Sequence, residues 1–518
     1  MPSTRYPWRL LVPMLALALA FPAAARPAAP ADARQAQVAG LMQRAADSPA
    51  RLRAFLQRMP KGADLHNHAG GSVYAEDFLR WADEDGWCVD TASHALRPPP
   101  CGPGQESARG LAARDATLYS RTVDALSMRN FLPSPEQPSG HERFFSSFGK
   151  FGALSRARRA DGIAVTLEQA ARDNVAYVEL IANPDQTDQV GTAMQAAAWH
   201  PDDYAADLEQ LRAGLPARVQ AARDDTARLD ADVRRLLRCD RADASPGCQV
   251  EYRYLTYVLR TLPQPFVFGQ MALNYALVAA DPRYVGVNIV APEDHPVARA
   301  DYRAHMAMFR FFSAHHPDVP LTLHAGELAP GLVPPTDLRF HIREAVQAGA
   351  RRIGHGVDLP YEDDPYALLR AMRERQVAVE VNLTSNDQIL GVRGAAHPLL
   401  MYLAAGVPVV LSTDDQGVSR GDLTGEYARA VAEQGLDYPA LKRIARNGLA
   451  HAFVPGESLW QGDGRPVPAC AAAVAGGPRP GRACQALLER SEKARLQWRL
   501  EAQFARFEDA VLQEEPAA

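Results

Sequence analysis

Basic residues are not in excess in this chain of 518 residues. Lys and Arg number 56 against 61 Asp and Glu, so the formal net charge is −5, and only four of the cations are lysines. This balance argues against nucleic acid as the main partner. With 47% hydrophobic and 23% charged residues, the composition predicts an ordinary globular protein that is large enough to bury a core.

Long apolar runs are missing everywhere except near the amino end. Arg5 and Arg9 precede an apolar run over 10–21, and the small residues 23–25 follow it. This order is typical of a secretory signal, so we predict a signal peptide over 1–25 and an exported protein, periplasmic or extracellular. The run is too short to span a bilayer comfortably, although an uncleaved anchor remains the alternative. No membrane association is expected after cleavage.

Cysteine is scarce, and C-x2-C spacing does not occur. The six cysteines fall into three pairs that are local in sequence, and an even number in an exported chain favours disulfides. A structural zinc site is the alternative. The pairs are Cys88 with Cys101, Cys239 with Cys248, and Cys470 with Cys484.

Eight short runs rich in apolar and β-branched residues follow the signal, with helical periodicity between them, for example over 203–237 and 338–349. Alternating strands and helices indicate a parallel sheet, and eight repeats predict an α/β fold of the (β/α)8 TIM-barrel type. The runs are 63–67, 175–182, 252–260, 284–290, 321–325, 351–355, 377–383 and 407–413.

Two irregular stretches, at about 86–140 and 456–484, are rich in Pro, Gly and Cys. We interpret them as insertions in a single barrel domain over 26–518, which ends in a helical extension at about 485–513. The first insertion follows the first strand. It therefore either roofs the carboxyl-end mouth of the barrel or lies on its far side.

Histidines close several of the runs. His66 and His68 are two residues apart, so a strand would point both into the barrel, where two imidazoles suit a transition metal. His324 and Asp414 end the fifth and eighth runs and could complete the ligand set. With three His and one Asp as ligands, one coordination position on zinc stays free for water, as hydrolysis requires. For each residue alone, a core or turn role is the alternative.

Three further polar residues adjoin these ligands. Glu327 follows His324 by three residues and could exchange a proton with a metal-activated water, or simply favour the start of a following helix. His355, between two glycines, could hold that water or act as its base. Asp415 would point away from Asp414 and could hydrogen-bond a substrate ring nitrogen.

Four motifs carry a family resemblance: MPKGADLHNH (59–68), HAGE (324–327), RIGHGV (352–357) and STDD (412–415). The chain resembles the adenosine deaminase family of the metal-dependent amidohydrolase superfamily over about 59–455. Its layout is closest to the secreted, growth-factor-type branch. The resemblance implies hydrolytic deamination of adenosine, or a related 6-aminopurine nucleoside, to inosine and ammonia. A homodimer is compatible with it.

The resemblance also implies roles for individual residues. One zinc ion per chain would be held by His66, His68, His324 and Asp414. Glu327 would protonate the purine N1, and His355 would orient the attacking water and help to deprotonate it. Asp415 would contact N7.

The chain departs from the family at the sugar end of the substrate. Cytosolic members carry an Asp for the ribose 5′-hydroxyl where this chain has Gly70, and the secreted branch usually places one where this chain has Ala69. Ala291 stands where a Gly near the substrate N3 is common, with Glu293 after it. Ala291 is therefore expected to narrow the pocket while its N–H still binds substrate. A 5′-modified adenosine or free adenine is the alternative substrate.

Two other functions compete with deamination. Two-metal members of the superfamily usually need a lysine on the fourth strand, and this chain has none there. The other alternative is a nucleoside-binding protein with a relic active site, against which the intact ligand set argues.

Phe144, Phe145 and Phe148 would form an apolar wall over the purine or, as their spacing favours, pack in a helix-face core. Asn288 is either a pocket residue or a polar strand end.

Overall fold

A computed structural model describes residues 30–134, 139–462 and 464–514. The predicted signal segment 1–25 lies outside these residues, so it stays a prediction. Within the part of the chain that is described, no helix is both long enough and apolar enough to cross a membrane.

Eight parallel strands form one sheet in the order β1-β5-β6-β7-β8-β9-β10-β11, and three others form a small antiparallel sheet in the order β3-β2-β4. The ends of all eight strands coincide with the predicted runs to within two residues. The TIM-barrel prediction is thus confirmed. The strands are β1 (Gly62–His68), β2 (Cys88–Asp90), β3 (Leu96–Arg97), β4 (Gln105–Ser107), β5 (Val175–Ile181), β6 (Glu251–Leu259), β7 (Tyr284–Val290), β8 (Leu321–Ala325), β9 (Ala350–His355), β10 (Ala378–Val381) and β11 (Val409–Leu411).

The barrel closes between its first and last strands, just beyond β11. Asn67 and Asp414 form a parallel bridge. The His68 amide donates to the Asp414 carbonyl at 3.0 Å, and the Asp414 amide donates to the His66 carbonyl at 2.8 Å. A candidate metal ligand therefore joins the two ends of the sheet.

Helices surround the barrel and bury its outer face, which explains why strands such as β5 and β7 are mostly apolar and buried throughout. The helices are α1 (Pro30–Ala46), α2 (Pro49–Arg58), α3 (Ala75–Asp85), α4 (Leu111–Arg114), α5 (Ala116–Ala125), α6 (His141–Ala157), α7 (Arg159–Arg172), α8 (Gln186–Gln195), α9 (Tyr204–Leu211), α10 (Leu215–Leu236), α11 (Gln264–Ala280), α12 (Pro296–His315), α13 (His341–Gln347), α14 (Pro365–Glu374), α15 (Leu383–Leu390), α16 (Leu399–Ala405), α17 (Gln416–Ser419), α18 (Leu423–Gln434), α19 (Tyr438–His451), α20 (Arg482–Arg490) and α21 (Glu492–Glu514).

The first irregular segment lies at the mouth of the barrel, where the strands have their carboxyl ends. The Met128 amide donates to Val418 in α17 at 2.8 Å, and the Gly140 amide donates to Gln388 in α15 at 2.7 Å. Both helices follow carboxyl ends of barrel strands. The far-side alternative for this segment is therefore wrong.

The second irregular segment begins at the opposite end of the barrel. Pro455 and Gly456 line a cavity together with Tyr284 and Arg351, which lie at the amino ends of β7 and β9. The segment then packs on the last two helices through Leu459 and its neighbours. Each irregular segment contains one disulfide, and all three local pairs form as predicted: Cys88–Cys101, Cys239–Cys248 and Cys470–Cys484.

Candidate active site

Four residues predicted as zinc ligands, and His355, which is predicted beside them, meet at the mouth of the barrel. Donor atoms of His66, His324, His355 and Asp414 all lie within 4.8 Å of one another. His68 joins them, because its Nε2 atom is 3.2 Å from Asp414 Oδ1 and 3.1 Å from His324 Nε2. His66 Nε2 is 3.5 Å from the same Asp414 oxygen. The strand ends thus assemble as the sequence predicts.

The donor set fits a transition metal. The Nε2 atoms of His66 and His355 are buried and find no hydrogen-bond partner among the described residues. Buried polar atoms are nearly always satisfied, so unpaired nitrogens that face a carboxylate indicate an ion-binding cluster. The backbone of His355 (φ 67°) and Asp414 (φ 55°) is left-handed, a strained conformation typical of residues that function fixes in place.

A buried charge network orients His66. Its Nδ1 atom lies 2.8 Å from Glu380 Oε2, which leaves the Nε2 lone pair free for the cluster. Glu380 also accepts from Thr322 at 2.7 Å and from Arg352, and Arg352 in turn pairs with Glu179. Burial alone would raise the pKa of Glu380, but the Arg352 charge and the His66 hydrogen bond outweigh it and hold the pKa at about 2.

Sequence reasoning missed this network. Glu380 and Arg352 lie inside two predicted strands, and a charged residue within an apolar run is the signal that could have pointed to them. Both side chains are fully buried. Charges this deep persist only when they are paired, as here.

Asn288 orients His324 in the same way. The Asn288 side-chain oxygen accepts from His324 Nδ1 at 3.0 Å and from the His324 backbone amide at 3.2 Å. The Nδ1 proton is therefore assigned toward Asn288, and the Nε2 lone pair faces the cluster. Asn288 is thus a site residue and not merely a polar strand end.

Glu327 is a buried acid beside the cluster. Burial and the charge of Asp414 raise the pKa of Glu327 well above its usual range, which favours the protonated form of the carboxyl. Glu293 fixes the loop by accepting from the backbone amides of Gly326 (3.1 Å) and Glu327 (2.9 Å). No helix follows directly in this described stretch, so the helix-start interpretation of Glu327 is wrong.

His355 faces both the acid and the ligands. Its Nδ1 atom is 3.7 Å from Glu327 Oε1, and its Nε2 atom is 3.9 Å from Asp414 Oδ2. The Asn386 amide donates to Nδ1 at 2.9 Å. Burial lowers the pKa of His355 to about 3, so the ring is neutral.

Asp415 is buried against the backbone of the turn that follows β1. A Cβ atom on Gly71 would lie 1.7 Å from Asp415 Oδ1, so glycine is required at this close approach. That oxygen has no partner among the described residues. Burial and the adjacent Asp414 charge raise the pKa of Asp415 well above its usual range, which favours the protonated form of this cavity-lining acid.

A cavity of about 360 Å³ opens over these groups. Its walls are mostly apolar, as in a site that receives a flat organic ring. Among its lining residues are His68, Gly70, Gly71, Phe144, Phe145, Phe148, Tyr257, Ala291, His324, Glu327, His355, Asp414 and Asp415.

The three phenylalanines on α6 both pack in a core and line the cavity, the two roles that the sequence left open. Phe144 is buried in a core cluster with Phe78 and Phe151, and Phe145 and Phe148 pack partly against that cluster. All three nevertheless line the cavity. The favoured prediction of helix-face core packing is therefore confirmed, and the same helix face also forms part of the cavity wall.

Ala291 also lines the cavity, and its backbone has φ 84°. This is a region that glycine adopts freely and alanine rarely. The alanine that stands at this position is therefore strained, and it forms part of the cavity wall.

A family model for adenosine deaminase matches residues 136–459, well over half of the chain. The adenosine deaminase of Enterococcus faecalis (strain ATCC 700802 / V583) is 36% identical over 137 residues, 26% of this chain and 37% of that protein. That of Escherichia coli (strain SMS-3-5 / SECEC) is 40% identical over 148 residues, 28% of this chain and 41% of that protein. The matched region thus spans about two fifths of these relatives.

Among solved structures, Arabidopsis ADAL complexed with IMP is similar with a TM-score of 0.50 and 18% identity, covering 77% of this chain and 93% of that one. Its complex with GMP gives the same score and identity over 78% and 94%. These likenesses concern the fold. With the extent of the family match, they lead to one conclusion: this chain belongs to the adenosine deaminase family.

Proposed function

We propose that this protein is a zinc-dependent hydrolase that removes the 6-amino group of adenosine, or of a related purine nucleoside, to give inosine and ammonia. The observation that carries the proposal is the juxtaposition of a transition-metal donor set with the buried carboxyl of Glu327, whose pKa is raised, at one end of an apolar cavity. Each part alone occurs in other proteins, whereas deamination of a ring needs them together.

The residues that would hold one zinc ion are His66, His68, His324 and Asp414. When bound, zinc lowers the pKa of a coordinated water and polarises the reacting centre. Glu380 and Asn288 fix the rings of His66 and His324, so the protein itself supplies ligand orientation.

Proton transfer is assigned to Glu327. Because the raised pKa favours its protonated form, Glu327 can donate to the purine N1 as water attacks C6. Asp415, protonated for the same physical reason, would donate a hydrogen bond to N7.

His355 would orient the attacking water. The hydrogen bond from Asn386 to Nδ1 places the ring proton on Nε2, the atom that faces Asp414. This tautomer can donate to water but cannot accept its proton there. The structure thus favours the orienting role over the second role, that of base, which needs the other tautomer.

The substrate would be a small purine nucleoside. Its purine ring would lie against the α6 phenylalanines, with the ring edge beside Ala291.

The proposal also includes export to the periplasm or outside the cell, membership of the secreted branch, and a homodimer. The two-metal alternative stays disfavoured, since β7 carries no lysine.

The test is ammonia release by zinc-loaded mature protein with adenosine, 2′-deoxyadenosine, 5′-methylthioadenosine and adenine. Glu327→Gln should retain zinc and lose turnover, because the amide keeps the shape and cannot donate as an acid. Glu374→Gln, on an exposed position of α14, is the matched control. Unchanged turnover in both Glu327→Gln and Asp414→Ala would contradict the mechanism, and zinc binding without any turnover would favour the binding-protein alternative.

A further inference from the structure

A separate cavity, of about 600 Å³, opens at the amino end of the barrel. Four neighbouring strands contribute to its wall where they begin, through Tyr284 in β7, Pro320 before β8, Arg351 in β9 and Gln376 before β10. The volume lies within the range of small-molecule sites, about 300 to 1,000 Å³. Because the proposed active site lies at the carboxyl ends of the strands, this cavity is not part of it.

The carboxyl-terminal part of the chain supplies more of the wall. Residues 450–456, which lead out of α19, line the cavity together with Lys493 in the first turn of α21. The Lys493 amide donates to the Pro455 carbonyl at 3.1 Å, and the Lys493 Nζ atom donates to the Ala450 carbonyl at 3.1 Å. A ligand in this cavity would therefore contact both the barrel and the start of its helical extension.

Positive charge dominates the lining of this cavity. Arg351, Arg375 and Lys493 face one carboxylate, that of Asp318, among the described residues that form the wall. Charges of one sign around a concave site focus the electrostatic field and attract ligands of the opposite sign. The lining thus favours an anion.

The protein does not neutralise these cations. Within the described part of the chain, Arg351 and Arg375 form no ion pair and no side-chain hydrogen bond, and the Lys493 ammonium donates to a carbonyl group. Arg352 shows the contrast, because it is fully buried and pairs with both Glu179 and Glu380. The two exposed guanidinium groups therefore keep their donors available for an external anion.

The positive charges also repel one another. Burial lowers the pKa of Lys493; Glu179 opposes this shift, and the charges of Arg352 and Arg351 add to it. Burial and the charges of Arg352 and Lys493 lower the pKa of His451, another lining residue, to about 4. An anion bound among these groups would relieve the repulsion and be held more strongly as a result.

The remaining wall could receive an organic group. The Phe453 amide donates to the Glu179 carboxylate at 2.6 Å, and the guanidinium of Arg352 lies 3.7 Å from the centre of the Phe453 ring, so the ring is fixed in place. A phosphate ester has room to place its charge among the cations and its organic part against apolar side chains. These side chains are Val278, Val285, Phe453 and Val454.

We propose that this cavity binds a small phosphate-bearing anion through Arg351, Arg375 and Lys493, and that the bound anion joins the helical extension to the amino end of the barrel. Guanidinium groups suit phosphate oxygens because each offers paired N–H donors, and the ammonium adds a compact charge. Inorganic phosphate and a phosphate monoester share this chemistry. The inference is independent of the proposed deamination, since none of these groups takes part in that reaction.

The first experiment is calorimetry of the zinc-loaded protein with inorganic phosphate and with phenyl phosphate. A pH of about 8 gives the phosphate group close to two negative charges. We expect saturable binding that weakens as salt rises, because the cations are partly exposed. Tighter binding of phenyl phosphate would assign the site to an organic phosphate, and equal binding would assign it to the free ion. Absence of saturable binding for both would overturn the proposal.

A double substitution tests the cations. Arg351→Gln combined with Arg375→Gln should weaken binding at least about tenfold, since two charge-assisted contacts are lost. Both side chains are exposed, so the variant should fold as the parent protein does. Arg51→Gln combined with Arg443→Gln, at exposed positions of α2 and α19, removes the same charge elsewhere and should leave the affinity unchanged. An unchanged affinity in the first variant would contradict the assignment.

Hydrogen exchange locates the bound anion without any substitution. The tighter-binding anion of the two should slow amide exchange in residues 450–456 and at the start of α21, which adjoin the cavity, and leave residues 412–417 at the mouth unchanged. Protection confined to the mouth would place the anion beside the proposed metal site and would overturn the inference.

Discussion

The two ends of the active-site cavity are built on opposite principles. At the metal end, His66 and His324 each have a fixed hydrogen-bond partner, Glu380 and Asn288. Away from the proposed metal site, Gly70 offers no side chain, and Ala291 contributes only a methyl group to the cavity wall. The difference teaches that the proposed chemistry depends on side chains held in place by several partners, while the proposed choice of substrate would depend on space and on few contacts.

The largest effect should follow from breaking the metal end. Asp414→Ala removes a ligand that also contacts His66 and His68, so we expect loss of bound zinc and at least about a thousandfold lower kcat, equivalent to several kcal/mol. Zinc content by atomic absorption and kcat for the best substrate are the measurements. Full activity in a zinc-free variant would contradict the assignment.

A neighbouring pair of glycines sharpens the comparison. Gly71→Ala places a Cβ atom within the Asp415 carboxyl, which must move, whereas the same change at Gly70 meets only Ser155 at 3.6 Å. We expect kcat/KM for adenosine to fall at least about tenfold in the Gly71→Ala variant. A tenfold loss corresponds to the free-energy cost of forcing one side chain off its preferred rotamer. The loss should be smaller in the Gly70→Ala variant. Similar losses in both would show that Asp415 is not held against Gly71.

Glu380→Gln tests whether ligand orientation matters. The amide preserves shape but weakens the interaction with His66 and Arg352, so zinc affinity should fall roughly 10- to 100-fold. Competition with a metal-binding dye measures this. Thermal unfolding of the zinc-free variant distinguishes a lost orienting role from a general loss of packing, since only the former leaves the apo Tm nearly unchanged.

The smallest effect is expected at Ala291. Ala291→Gly relieves the positive φ and widens the sugar end, so KM for adenosine should fall a few-fold and stability should rise by up to about 1 kcal/mol. Ala227→Gly, at an exposed position within α10, should instead lower stability by about 1 kcal/mol. A destabilised Ala291→Gly protein would show that the alanine is not strained.

The barrel and its cluster were predictable because they depend on local, periodic signals. Short apolar runs fix the strands, and a His or Asp at a strand end must point toward the same mouth as the others. Glu380 and Arg352 were not predictable as a pair, because their partnership arises only when β9 and β10 lie side by side. The α6 phenylalanines were half predicted, since periodicity shows that a helix face is apolar but not what it faces.

The bridge between Asn67 and Asp414 has a consequence for the energetics of the whole fold. The backbone of Asp414 holds the first and last strands together, while its side chain is a proposed zinc ligand. Closure of the ring of strands and metal loading are then thermodynamically linked. At free zinc one hundred times the dissociation constant, the bound ion would add about 2.7 kcal/mol to the free energy of unfolding, with β1 and the β11 end as the first segments to gain protection from hydrogen exchange.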